Sequence, residues 1–191
     1  ILEWDGHVKR LERSLKELDM KFPISETELL DIHFDLIKKN TLKEGLIYLQ
    51  VTRGEDDRSF DYPDESVKPT LVLFTQVKSL AESNIAKTGL KVISVPDMRW
   101  GRRDIKTVQL LAPSMCKMMA KKKNKDDAWM IQDGFITEGT SNNAYIITKD
   151  NVLITRNLSN DILAGVTRRS ILRYAKAVSY THLTLPTMQV V

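Results

Sequence analysis

Apolar residues recur at spacings of three and four from the start of the chain. Val8, Leu11, Leu15 and Leu18 fall on one helical face, which predicts an amphipathic helix over residues 7–20. Pro23 ends the connector. Ser25 and Glu28 have the spacing of a capping box, so a second helix starts there and carries Leu29, Ile32, Leu36 and Ile37. The pattern then becomes strand-like at residues 46–52, 70–75 and 90–95. A polar, acidic loop at residues 54–69 holds Arg58 and separates the first two of these runs. Residues 77–87 lack strong periodicity and form the best linker. Beyond Lys106, Leu110, Leu111, Met115, Met118 and Met119 return to helical spacing. The run Lys121, Lys122, Lys123 suits the solvated C-terminal end of that helix. Two hairpins follow, turning at Asp133-Gly134 and at Asp150-Asn151, and residues 163–176 return to a helical pattern. Strands and helices are mixed without a regular βαβ repeat, so the expected fold class is α/β of a mixed α+β kind.

Composition narrows the picture. The 191 residues are 42% hydrophobic and 28% charged, which excludes wholesale disorder, a collagen repeat and a disulfide scaffold. Cys116 is the single cysteine, so no intrachain disulfide forms. No apolar run approaches the roughly 20 residues of a membrane helix. The net charge of +4 suits an anionic small ligand or a nucleic acid and does not choose between them. The ends differ from the rest. The chain opens on Ile1 and enters a helical pattern almost at once. Residues 178–191 contain no Asp, Glu, Lys or Arg, although charged residues are frequent before them. That break marks them as a non-native tail, expected to lie outside the packed fold, on a chain read as a fragment lacking both ends.

Candidate chemistry is sparse. No nucleophilic triad is evident, and three scattered histidines with one cysteine serve a metal poorly. What remains is a set of cations and carboxylates beside turns and helix starts. Lys106 is a surface lysine or, in a partly dry site, a Schiff-base lysine. Glu138 ends a strand and is a solvated turn residue or a carboxylate that holds a pyridinium nitrogen. Gly165, Val166 and Thr167 sit where a loop becomes a helix, either as an ordinary Thr cap or as an anion site. Arg10 clamps a phosphate or is solvated.

The strings RWGRRDIKTVQLLAP, ITEGTSNNAYII and ILAGVTRRSIL, preceded by GHVKRLERS, occur in order and with the spacing of one family. Together they resemble the class IV pyridoxal-phosphate aminotransferases over most of residues 2–177. YLQVTRGEDDRSFDYPDESVKPTLV is similar to the D-amino-acid enzymes rather than the branched-chain ones.

The resemblance implies a role for each position. Lys106 matches the lysine that forms the internal aldimine and moves the proton between Cα and C4′. Glu138 matches the carboxylate on the pyridine nitrogen, which makes the ring an electron sink. Arg10 matches the phosphate arginine, and Val166 and Thr167 the phosphate-binding helix start. Leu163 matches an apolar residue against the ring, and Ser141 and Asn143 the polar positions of the glutamate turn. Arg58 matches the arginine that holds the substrate α-carboxylate across a dimer interface, where a bidentate guanidinium–carboxylate pair is the physical reason for arginine. Phe60 stands where the D-amino-acid pattern has histidine. The upstream strand with the substrate-facing tyrosine and the downstream segment that completes the phosphate cup are absent.

The implied protein is a two-domain class IV (fold type IV) enzyme. Residues 1–76 remain of a small N-terminal domain, 77–87 form a linker and 88–177 are part of a larger cofactor-binding domain. The implied reaction is transamination between a D-amino acid of the D-alanine or D-glutamate type and a 2-oxo acid. The implied protein is a cytoplasmic homodimer that uses pyridoxal 5′-phosphate and no metal, nucleic acid or membrane. Rivals within the class are branched-chain L-amino-acid aminotransferase, (R)-amine transaminase and aminodeoxychorismate lyase. A non-catalytic basic module for RNA, built on residues 117–125, needs interleaved aromatics, and only Trp129 lies near.

Overall fold

The computed structural model describes residues 1–82, 84–178 and 182–185. The chain divides into two units: Leu11–Thr88, and Ile1–Arg10 together with the chain from Gly89 onward. The first ten residues, expected with the small N-terminal domain, thus group with the second half.

Two helices, α1 (Trp4–Glu17) and α2 (Glu26–Lys39), open the chain. The capping box forms as its spacing predicts. Ser25 Oγ accepts from the Glu28 N–H at 3.2 Å and the Ser25 N–H donates to Glu28 Oε2 at 2.8 Å. Strands β1 (Gly45–Thr52) and β2 (Thr70–Val77) pair antiparallel, with Tyr48 opposite Phe74 and their rings stacked at 4.8 Å. The segment read as a linker carries a short helix, α3 (Asn84–Thr88). Its approach is held by Glu44, whose carboxylate accepts from the Leu80 and Ala81 N–H groups at 2.6 and 2.7 Å.

The second unit is built on strand β3 (Val92–Pro96), helix α4 (Leu111–Lys122) and strands β4 (Asp127–Gln132) and β5 (Phe135–Gly139). β3 runs parallel to β4, so α4 is their crossover, and β5 returns antiparallel. The Asp133-Gly134 turn has φ of 54° and 81°, the left-handed pair that a tight two-residue hairpin needs. Val95, Cys116, Ala120, Ala128 and Met130 form a closed core between α4 and this sheet. Its small side chains let helix and sheet approach closely, and burying Met130 alone contributes about 1.5–3 kcal/mol. Lys121, Lys122 and Lys123 close α4 in solvent, as expected. Next come β6 (Tyr145–Ile147), β7 (Leu153–Arg156) and α5 (Val166–Ala177).

Residues His182–Leu185 form β8, which pairs parallel with β7 from Leu153↔His182 to Arg156↔Leu185. This corrects the expectation that residues 178–191 stay outside the fold. The uncharged segment meets a free strand edge, and backbone pairing there needs no charged side chain. Val178 caps α5, and the rest of the segment lies outside the described residues. Among the described residues no helix is long and apolar enough to cross a membrane, and no group of three or more His, Cys, Asp or Glu is placed to hold a metal.

Candidate active site

Lys106 stands in the connection between β3 and α4, and the residues just before it fix its place. Arg103 is buried; its N–H donates to Asn160 O at 2.9 Å and its guanidinium to Gln132 Oε1 and Arg99 O. Arg102 clasps the buried Asp104 through two bonds of 3.0 Å, and Ile105 is buried beside them. Lys106 then lines a cleft of about 890 Å³ together with His7, Arg10, Glu138, Leu163 and Thr167. Its side chain reaches solvent through the open mouth of the cleft. Surrounding protein still strips part of its hydration, and that loss and the charge of Arg10 lower its ammonium pKa from the ordinary 10.5; the Glu138 carboxylate opposes the shift.

Glu138 faces the cleft from β5 and is 5% exposed. Its Oε1 accepts from Arg99 Nη1. Its Oε2 accepts from Asn143 Nδ2 at 2.9 Å, and the Leu163 N–H reaches both oxygens at 3.2–3.3 Å. Asn143 Nδ2 also donates to Leu163 O at 2.9 Å, so the three residues lock one another. Gly165 allows this. A Cβ there would lie 2.1 Å from Asn143 Oδ1. Burial pushes the Glu138 carboxyl up, and the pull of Arg99 offsets part of that rise. The turn beyond Glu138 is tied down by Asp127, which accepts from Thr140 Oγ1 at 2.5 Å and Asn142 Nδ2 at 3.0 Å. Lys117 pairs with the same Asp127 at 3.3 Å, which engages one cation of the basic cluster considered for RNA.

A candidate anion site lies at the start of α5. Gly165 is the N-cap and no side chain caps the helix. Thr167 is therefore the second helical residue rather than the cap. Arg10 reaches this end through Ala164 O at 3.5 Å, and its other nitrogen meets His7 Nδ1 at 3.5 Å. Loss of hydration, Arg10 and Lys106 lower the His7 pKa from 6.5, so His7 stays neutral at neutral pH. Arg168 is buried along the same cleft, donates to Arg156 O at 2.9 Å, and keeps Nε without a partner. Open helix N–H groups and nearby guanidinium groups are what a phosphate requires.

Glu3 couples the two helices of this site. It accepts from Arg169 at 2.8 Å and Arg173 at 2.6 Å, and Arg169, Ser170 and Arg173 together bring its pKa from 4.5 down to about 2. Between those values the unfolded chain binds more protons than the folded one. The stability that Glu3 contributes is therefore present above 4.5 and is lost as pH falls toward 2. Thermal melts of Glu3→Gln across that window are expected to lack this part of the acid slope.

The structure thus brings Arg10, Lys106, Glu138, Ser141, Asn143, Leu163, Val166 and Thr167 to one cleft. Arg58 belongs to the other unit, in the exposed loop after β1, with its guanidinium 5.8 Å over the ring of Phe60. Sequence reasoning missed Arg99, Asp97 and His7 as members of the site. The one signal is the density of cations in RWGRR; nothing in the pattern says which of them turns inward.

Comparison with known proteins agrees with this geometry. Residues 1–190 match the family model described as Amino-transferase class IV. A D-alanine aminotransferase of Staphylococcus aureus (strain MSSA476) is 35% identical over 170 residues, covering 89% of this chain and 60% of that protein. The chain therefore spans about 60% of the length of the curated relatives it matches. The branched-chain amino acid aminotransferase of Escherichia coli superposes with a TM-score of 0.83 at 20% identity, over 95% of this chain and 62% of that one. The branched-chain amino acid aminotransferase of Thermobaculum terrenum, in its PLP-form (holo-form), gives 0.77 at 18% identity, over 95% and 60%. At that identity the two structures speak to the fold.

Proposed function

Since the chain belongs to the class IV aminotransferases, we propose that it carries the cofactor core of a pyridoxal-phosphate enzyme that moves an amino group between a D-amino acid and a 2-oxo acid. The observation that carries this reading is the meeting of Lys106, Glu138 and the uncapped start of α5 around one cleft. The residues present fit the cofactor. Arg10 and the N–H groups of Val166 and Thr167 would hold its phosphate, Leu163 would pack against its ring, Glu138 would face its ring nitrogen, and Lys106 would meet its aldehyde. Bound there, the cofactor supplies an electron sink for the substrate Cα–H and C–N bonds.

The chain's own residues do the rest. Lys106, with its pKa lowered, presents more free amine at neutral pH than a solvated lysine and can take or return a proton at the reacting carbon. Glu138 stays fixed by Arg99, Asn143 and Leu163, and its carboxylate would lie toward the ring nitrogen. Asn143 and Ser141 shape the turn that carries it, and Asn143 is the one bonded to the carboxylate.

Handedness rests on Arg58. The D-alanine aminotransferase relatives support a D-amino acid, of the alanine or glutamate type, whose carboxylate Arg58 of a second subunit would hold. Phe60 leaves that trap with one donor fewer than a histidine would give. A homodimer in the cytoplasm is part of the same reading. The test gives the enzyme from its full reading frame D-alanine, L-leucine and (R)-1-phenylethylamine in parallel, with 2-oxoglutarate or pyruvate as acceptor. D-alanine is expected to react, with KM rising about tenfold to a hundredfold in Arg58→Ala. Transfer from L-leucine alone moves the protein to the branched-chain group. Transfer from the amine alone means that Arg58 holds no substrate carboxylate.

A further inference from the structure

Arg99 hydrogen-bonds Glu138 through Nη1, and it is itself held rigidly. Its Nε donates to Asp97 Oδ1 at 3.0 Å and its Nη2 to Asp97 Oδ2 at 2.7 Å, a bidentate clasp. The Asp97 side chain is fully buried, accepts from Thr137 Oγ1 at 2.6 Å and lies 3.6 Å from Arg103. Arg99 is thus pinned on one side and turned toward the cleft carboxylate on the other.

The Glu138 oxygens accept from Arg99, from Asn143 and from the Leu163 N–H, all of them donors. Such surroundings select the anion, because a protonated carboxyl would need an acceptor for its O–H. Two influences oppose the anion, namely burial and the negative charge of Asp97. Arg99 answers both at once, since it neutralises Asp97 and bonds Glu138 directly. Arg103 is no substitute for it, since it bonds Gln132 and lies near Asp97 and Asp161; Lys106 lines the same cleft and its charge is felt across it by Glu138.

We propose that Arg99 is a positioning residue that keeps Glu138 anionic and less basic than its burial alone would make it, so that a proton shared between Glu138 and the cofactor's ring nitrogen resides on nitrogen. This rests on the reading that Glu138 faces that nitrogen. A carboxylate freed from its guanidinium partner would be a stronger base and would take the proton itself. The ring would then be neutral and a poorer electron sink, although every group that touches the cofactor would still be present.

Two measurements on the full chain separate this proposal from the reading beneath it. The first needs no cofactor. Isotope-edited infrared spectra of glutamate-labelled protein at pH 7 are expected to show a protonated-carboxyl band in Arg99→Met that is absent from the wild type and from Arg99→Lys. Adding Glu138→Gln should remove that band. The protonation equilibrium of Glu138 is expected to move by about tenfold or more, one pKa unit. The second measurement uses pyridoxal phosphate labelled with 15N in the ring. Its nitrogen should resonate as protonated in the wild type and Arg99→Lys, and shift toward neutral pyridine in Arg99→Met. Arg99→Gln, which keeps a donor and drops the charge, should give the same shift and covers the case in which the methionine variant fails to fold. A protonated nitrogen with ionised Glu138 in both neutral variants overturns the role of Arg99 and leaves the reading standing. A neutral nitrogen in the wild type overturns the reading, and the proposal with it.

Discussion

Lys106→Ala abolishes covalent capture of pyridoxal phosphate at the active site of this protein. Imine formation needs a neutral amine within reach of the aldehyde; the proposed placement of the cofactor puts Lys106 there, and its lowered pKa favours the neutral amine. It lines the cleft, and lost hydration together with Arg10 lowers its pKa from 10.5. A lysine in free solution holds its proton almost completely at neutral pH, so fully solvated amines compete poorly. Borohydride reduction of the loaded wild type should place the pyridoxyl label on Lys106, and the alanine variant should show only the background of exposed lysines. Labelling of another lysine to the wild-type extent would sink the assignment. Turnover should fall by about 10²–10⁴-fold from lost proton transfer alone. The pH dependence of stability offers an independent check. A lysine whose folded pKa is lowered leaves the unfolded chain with more bound protons between the folded value and 10.5. Stability of the cofactor-free chain therefore rises with pH through that window, and this rise disappears in Lys106→Ala.

Glu138→Gln lowers turnover by about a hundredfold or more while cofactor affinity changes by less than about tenfold. The amide carries no charge, so it holds a proton on the ring nitrogen poorly. The proposed phosphate anchors at Arg10 and the start of α5 are untouched by the change. Glutamine keeps the size of glutamate, and its oxygen can still accept from Arg99 and the Leu163 N–H, so the turn should survive. A kcat equal to that of the wild type would show that Glu138 does not face the ring. Equal loss of kcat and affinity would point to collapse of the turn held by Asn143, which Asn143→Ala would reproduce.

The local layer of this protein is written in its residue order. The capping box at Ser25 and Glu28, the hairpin at Asp133-Gly134 and the helix from Gly165 each depend on contacts within a few positions, and each forms where its spacing says. Some site residues from the family strings sit at element ends that the pattern marks, Glu138 near the end of β5 and Val166 and Thr167 at the start of α5; Lys106, Ser141, Asn143 and Leu163 lie in connections between elements. Arg58 lies in the other unit, and its place at a substrate carboxylate stays a proposal.

What only the tertiary structure decided are relations between distant segments. Parallel pairing of β3 with β4, and of β7 with β8, has no short-range signal, because the partners are joined through whole helices. By composition the uncharged segment after Val178 is a stranger to the fold, yet His182–Leu185 only needs an open edge on β7. Asp97 and Glu138 are far apart in the chain, and the arginine that binds both is one of several in a cationic run. Which of these reaches both carboxylates depends on the burial of Asp97 and on where packing sets Thr137 and Glu138. A residue pattern carries periodicity and local hydrogen bonding; the pairing of buried charges arises only once the elements have packed.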